Sequence, residues 1–112
     1  MSESLKEIGV GIVGFGTVGT GTAKLLLENA ELLRRRVGVP LRICGIADID
    51  TARDRGVKLP EGVLTSDGFQ VVRNPDVRIV VELVGGTGAA KDYVLEAIRL
   101  GKPVVTANKA LL

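Results

Sequence analysis

The chain has 112 residues, 46% of them hydrophobic and 25% charged, with a formal net charge of +2; that is about one ordinary domain with enough apolar content for its own core, which excludes two full domains and intrinsic disorder. It contains no His and one Cys, which excludes a Ser-His-Asp triad, a Cys–His pair, a histidine-rich metal site and an internal disulfide. Aromatic residues make up 3%, so the core falls to Val, Leu, Ile and Ala, and little is available to stack on nucleic-acid bases.

At the N-terminus Glu3, Lys6 and Glu7 stand where a secretory signal would need a basic start followed by an apolar run. No stretch approaches the roughly 18 apolar residues of a membrane span, so a cytoplasmic chain with no membrane partner is expected. From Lys6 to Val13, Ile8, Val10, Ile12 and Val13 alternate with glycines, the pattern of a strand buried on both faces. After Gly14 the period changes. Val18, Thr22, Leu25, Leu26, Leu32 and Leu33 recur at three- and four-residue steps and predict one helix from Thr17 to about Arg36. Arg34, Arg35 and Arg36 then complement the negative end of that helix, and Gly38 with Pro40 ends it; this basic run is a solvated helix end, and no nucleic-acid partner is expected.

Leu41–Ala47 predicts a second strand, with Cys44 as a small core residue in a reducing compartment. Thr51–Thr65 lacks a clear period and reads as loop with a weak strand near Gly62–Leu64. Ser66 is a candidate cap for a short helix through Val72 that Asn74-Pro75 stops. Arg78–Val84 is the strongest strand signal. Thr87 offers a cap for a helix whose stripe is Ala90, Val94, Leu95 and Ile98, and Pro103–Ala107 is a final short strand. Four clear strands alternating with helices imply right-handed crossovers and a Rossmann-type doubly wound parallel α/β sheet.

Glycine is in excess, at 15 residues against the usual ~7%, and six of these lie between Gly9 and Gly21. Gly14-Phe15-Gly16-Thr17-Val18-Gly19 is G-x-G-x-x-G, placed straight after a buried strand and opening a helix, as the dinucleotide fingerprint requires. The first glycine permits the tight turn, the second lets backbone approach a pyrophosphate, and the third lets helix and strand pack closely. The N–H groups of Gly16, Thr17 and Val18 at the positive helix end then form an anion site without a basic side chain. Asp48 ends the second strand, where a carboxylate accepts hydrogen bonds from the adenosine ribose and repels a 2′-phosphate, so NAD is favoured over NADP; Arg53 and Arg55 are candidates to clamp such a phosphate if their loop folds back. A P-loop is excluded because no Gly-Lys-Ser/Thr follows. Val84, Gly85 and Gly86 end the fourth strand at the expected topological switch point. Glu82, inside that strand, needs partners that the pattern does not name.

The last twelve residues, Gly101 to Leu112 (GKPVVTANKALL), resemble the GK-x-VVTANKALL segment of homoserine dehydrogenases. GFGTVG at Gly14–Gly19, ADID at Ala47–Asp50 and VVELVGG at Val80–Gly86 occur in the same order at matching spacings. The resemblance implies a cytosolic oxidoreductase interconverting L-homoserine and L-aspartate 4-semialdehyde with NAD or NADP, in threonine and methionine biosynthesis, acting as a homo-oligomer. It implies that Phe15 to Val18 line the pyrophosphate, that Asp48 holds the adenosine ribose, and that Val84 and Gly85 line the nicotinamide ribose. Lys109 is implied as the catalytic lysine at nicotinamide and substrate. On this reading residues 1–112 are the dinucleotide-binding domain of a longer enzyme, ending before the last strand of the fold, inactive alone, with the catalytic and dimerisation half absent. Two alternatives are the cofactor domain of a related enzyme such as aspartate dehydrogenase and a non-catalytic NAD-sensing module.

Overall fold

A computed structural model describes residues 7–14, 17–48, 59, 61–84 and 88–106, the side chains of Thr17 and Val18 excepted. In chain order its elements are β1 (Ile8–Val13), α1 (Thr17–Glu28), α2 (Ala30–Val37), β2 (Leu41–Ala47), β3 (Leu64–Thr65), α3 (Gly68–Arg73), β4 (Ile79–Glu82), α4 (Ala89–Arg99) and β5 (Val104–Thr106). The strands form one sheet in the order β3-β2-β1-β4-β5, every pairing parallel. This is the doubly wound arrangement expected from the alternating pattern. The weak strand signal near Leu64 becomes β3, two residues long, paired through Ile46 with Leu64 and Ala47 with Thr65.

Each face of the sheet has its own apolar cluster. On one, Val10, Ile12, Ile43, Ile46 and Val63 pack with Ala23 of α1. On the other, Val13, Ala47, Val77 and Val80 pack with Val71 and Val72 of α3 and Ala97 of α4, and the half-buried Cys44 lies against this cluster. The reversal of winding between β1 and β4 follows from this division. A chain that steps from β1 to β2 over one face must, with right-handed crossovers, step from β3 to β4 and on to β5 over the other.

β1 is asymmetric in a way the glycine count conceals. Ile8, Val10 and Ile12 face α1, whereas Gly9 and Gly11 face α3. A methyl at Gly9 would meet the Asp76 carbonyl, and one at Gly11 would lie 2.7 Å from a Val71 methyl and 2.9 Å from one of Val77. These two glycines are packing positions that admit α3 and the approach to β4, and they account for part of the glycine excess.

The helix expected over Thr17 to Arg36 is interrupted at Asn29 (φ −114°, ψ 23°). Its side-chain amide donates to the Leu25 carbonyl at 2.9 Å, the local competition by which Asn disfavours helix interiors. The expected stripe also shifts: Leu25 is 61% exposed and Leu32 49%, while Ala23 is fully buried and Leu26 packs beside it. α2 instead holds itself together with an Arg34–Glu31 ion pair at 2.7 Å. It ends, as expected, on Gly38 in the left-handed region with its N–H on the Arg34 carbonyl at 2.8 Å.

α3 is capped by Asp67, not Ser66; its carboxylate accepts from the N–H groups of Phe69 at 3.0 Å and Gln70 at 3.3 Å. Thr87 lies outside the described residues, and α4 begins at Ala89. In α4 the buried residues are Ala90 and Ala97, while Leu95 and Ile98 of the expected stripe are more than half exposed. In both helices small residues face the sheet, so the backbone comes close and large neighbours turn outward. A groove of about 390 Å³ remains on the α1 face, lined chiefly by Val10, Leu26, Ile79, Val81, Leu83 and Val105.

α3 and α4 are joined by polar contacts as well as by the edge-to-face pair Phe69–Tyr93, whose centroids are 4.9 Å apart. Glu96 of α4 accepts from Arg99 and from Arg73 of α3, both at 2.8 Å. The Arg99 hydrogen bond, and after it that of Arg73, hold the Glu96 carboxyl down to about 2. A depressed carboxyl stabilises the fold above its unfolded value near 4.5 and ceases to do so as pH falls through about 2. The wild type is therefore expected to melt above Glu96→Gln at pH 6, with the gap closing between pH 4.5 and pH 2 in thermal scans; a gap independent of pH would refute this assignment.

Candidate functional site

The three sequence signals for a dinucleotide converge at the C-terminal edge of the sheet. β1 ends at Gly14, whose N–H donates to the Ala47 carbonyl at 2.8 Å. Ala47 closes β2 and is followed by Asp48, so the glycine turn and the candidate ribose carboxylate are neighbours across one hydrogen bond. Asp48 is tied in turn to the next strand, its N–H donating to the Thr65 carbonyl at 2.9 Å. On the other side of β1, the Leu83 N–H donates to the Val13 carbonyl at 2.8 Å, which brings the exit of β4 against the turn.

Gly14 is where a side chain would close this site. It has φ +95°, in the left-handed region, and a Cβ there would lie 2.7 Å from the Val84 nitrogen and 2.8 Å from the Leu83 carbonyl carbon. Both the turn and the contact therefore need glycine. Three residues later α1 begins, at Thr17, a helix of 12 residues whose first-turn N–H groups have no acceptor within the helix. Gly19, the third glycine of the motif, is buried. A bare backbone turn, a helix N-terminus and a carboxylate at the end of β2 make a set that fits a dinucleotide: the first two suit a pyrophosphate and the third a ribose diol.

Of the residues expected at this site, Gly14, Asp48 and Val84 are brought together, and Thr17, Val18 and the buried Gly19 form the first turn of α1. Phe15, Gly16, Gly85 and Lys109 lie outside the described residues, as do Arg53 and Arg55. Val84 is 40% exposed and stands at the open rim beside Gly14.

Glu82 has the partners that the sequence does not name. It is fully buried at the end of β4, with one carboxylate oxygen accepting from the Val84 N–H at 2.7 Å and the other from the Thr106 hydroxyl. Thr106 itself carries no motif. The signal that would have found it is register, since the parallel pairing sets Glu82 directly beside Thr106.

Among the described residues no group of three or more Cys, Asp or Glu side chains is placed to hold a metal ion, and no helix is long and apolar enough to cross a membrane.

Comparison with known proteins bears on the same region. A family model described as "Homoserine dehydrogenase, NAD binding domain" matches residues 14–112. The chain is 45% identical over 108 residues to a homoserine dehydrogenase of Neisseria gonorrhoeae, covering 96% of the chain and 25% of that relative. It is 41% identical to one of Bacillus subtilis with the same coverages. Among solved structures, the homoserine dehydrogenase of Thiobacillus denitrificans superposes with a TM-score of 0.84 at 45% identity, over 95% of this chain and 24% of that one. The S. aureus homoserine dehydrogenase gives 0.85 at 30% identity, over 96% and 27%.

The close approach at Gly14 yields a direct check. Gly14→Ala is expected to destabilise the fold by about 2 kcal/mol in urea titration, because the new methyl meets the Val84 backbone in a conformation that alanine adopts only with strain; an unchanged midpoint would show that the two strand exits are not in contact.

Proposed function

Because the chain belongs to the homoserine dehydrogenase family as its NAD-binding domain, we propose that it binds NAD or NADP at the C-terminal edge of its sheet and serves the interconversion of L-homoserine and L-aspartate 4-semialdehyde. The observation that carries this reading is the contact of Gly14 with Val84 at the point where the winding reverses, with Asp48 one strand away. The chain spans about a quarter of the length of the relatives it matches, so turnover belongs to a protein that also carries the remainder. Such a protein would be a cytoplasmic homo-oligomer acting on a small-molecule substrate in threonine and methionine biosynthesis.

The residues divide the work by position. Gly14, Phe15, Gly16, Thr17 and Val18 would surround the pyrophosphate, with the N-terminal dipole of α1 balancing its charge. Asp48 would accept from the adenosine ribose hydroxyls, and its negative charge would oppose a 2′-phosphate, favouring NAD. Val84 and Gly85 would line the second ribose. The nicotinamide, when bound, supplies the acceptor or donor of a hydride. Lys109 would hold the reacting oxygen of the substrate and carry its proton.

Four measurements test these assignments. Calorimetric titration of the 112-residue chain with NADH is expected to show weak binding, and homoserine oxidation by the chain alone is expected to be undetectable; turnover by the chain would sink the assignment of chemistry to the remainder. Asp48→Ser is expected to move the ratio of NADPH to NADH affinity by about tenfold toward NADPH, and an unmoved ratio would remove Asp48 from the ribose site. In an enzyme of the relatives' length, Lys109→Ala is expected to lower kcat by about a hundredfold with little change in NADH affinity; wild-type kcat would exclude Lys109 from the proton's path.

A further inference from the structure

A carboxylate removed from water is costly unless its oxygens are satisfied, and nothing in the packing of β4 asks for one at position 82. Its neighbour on the same face, Val80, is equally buried and apolar. What distinguishes Glu82 is the identity of the groups it holds. One oxygen takes the Val84 N–H at 2.7 Å, and that nitrogen is the atom lying 2.7 Å from where a Cβ on Gly14 would stand. The other takes the Thr106 hydroxyl at 2.5 Å, at the last residue of β5 and three residues before Lys109. Elsewhere along this edge, main-chain hydrogen bonds join the strand ends: Gly14 to Ala47, Asp48 to Thr65, and Leu83 to Val13. Between β4 and β5 the parallel ladder itself runs to Glu82 opposite Thr106, and at that last pair the Glu82 side chain adds a further tie, one that also reaches the Val84 N–H beyond the ladder.

The two halves of this fold serve different halves of a dinucleotide. The carboxylate at the end of β2 belongs to the adenosine side, so β4 and β5 belong to the nicotinamide side. We propose that Glu82 is a positioning residue for the nicotinamide half: it fixes the exits of β4 and β5 relative to each other and to the glycine turn, and acts on the ligand only through them. The proposal rests on the dinucleotide reading above. An apolar residue of the same size would leave the Val84 N–H without its acceptor and remove the side-chain tie to Thr106, so that only the ladder would hold the segment beyond β4 beside β5.

NADH and ADP, which lacks both the nicotinamide and its ribose, separate this role from a general structural one. In calorimetric titrations of the 112-residue chain, Glu82→Leu is expected to weaken NADH binding about tenfold or more while ADP binding stays within about threefold. Glu82→Gln keeps an acceptor for the Val84 N–H and offers Thr106 a donor, so it should restore NADH affinity to within about threefold of wild type. Should Glu82→Leu fail to fold by circular dichroism, Glu82→Asp takes its place: one methylene shorter, it cannot span both partners and should lose NADH selectively. Equal loss of both ligands, or no loss of either, would overturn the proposal. A wild-type chain that binds neither ligand would overturn the dinucleotide reading and this inference with it, whereas binding of both ligands with equal response to the variants overturns the inference alone.

Discussion

The molecule turns on one close approach: the end of β1 lies against the end of β4 with no side chain between them. Gly14 has φ +95° and touches the backbone at Leu83 and Val84. Any Cβ would force these exits apart, and they are the two strand ends between which the winding reverses. The crevice of a doubly wound sheet opens at such a reversal. Hence the same missing methyl that closes β1 onto β4 also leaves bare backbone at the mouth of that crevice. The parallel pairing of Val13 with Glu82 then carries this constraint into the sheet, and the two apolar clusters are arranged on either side of it.

Around that contact, the edge is held with little tolerance. Successive strand ends are tied by hydrogen bonds from Thr65 through Asp48, Gly14 and Leu83, and Glu82 extends the series to β5. Buried polar groups of this kind add specificity only when each has its partner, and among the described residues no buried side-chain nitrogen or oxygen lacks one. α3 is fastened below the edge by a different device: Lys102 donates to the carbonyls of Val72 at 2.6 Å and Asn74 at 2.8 Å, closing the C-terminal end of that helix from the segment that leads into β5.

Strand content and order were legible because buried parallel strands are short β-branched runs between turn signals, as in Arg78–Val84, and because handedness leaves few ways to connect them. The turn at Gly14 and the place of Asp48 just past β2 were legible because both rest on local signals. What escaped was set by tertiary contact. Leu25 and Ile98 look like core residues by periodicity, yet Ala23 and Ala97 take the core because a small side chain lets the helix axis approach the sheet. Gly9 and Gly11 read from the sequence only as gaps between the apolar residues of a strand, and they are spaces for α3 and its neighbours. Asn29 interrupts what periodicity draws as one helix, and Thr106 matters only because register places it beside a buried carboxylate.

The borders of the sheet differ in a way that bears on how the chain behaves in solution at high concentration. One border is β3, two residues long and too short to template another strand. The other, among the described residues, is β5, whose Val105 is 58% exposed beside the apolar groove that runs over Ile79 and Val81. An open strand bordered by uncovered aliphatic surface is a ready seat for a second polypeptide. Among the described residues the β5 side is thus the border open to association, and a charged residue at Val105, pointing away from the Glu82 face, is the economical place to improve solubility without touching the Gly14–Val84 contact.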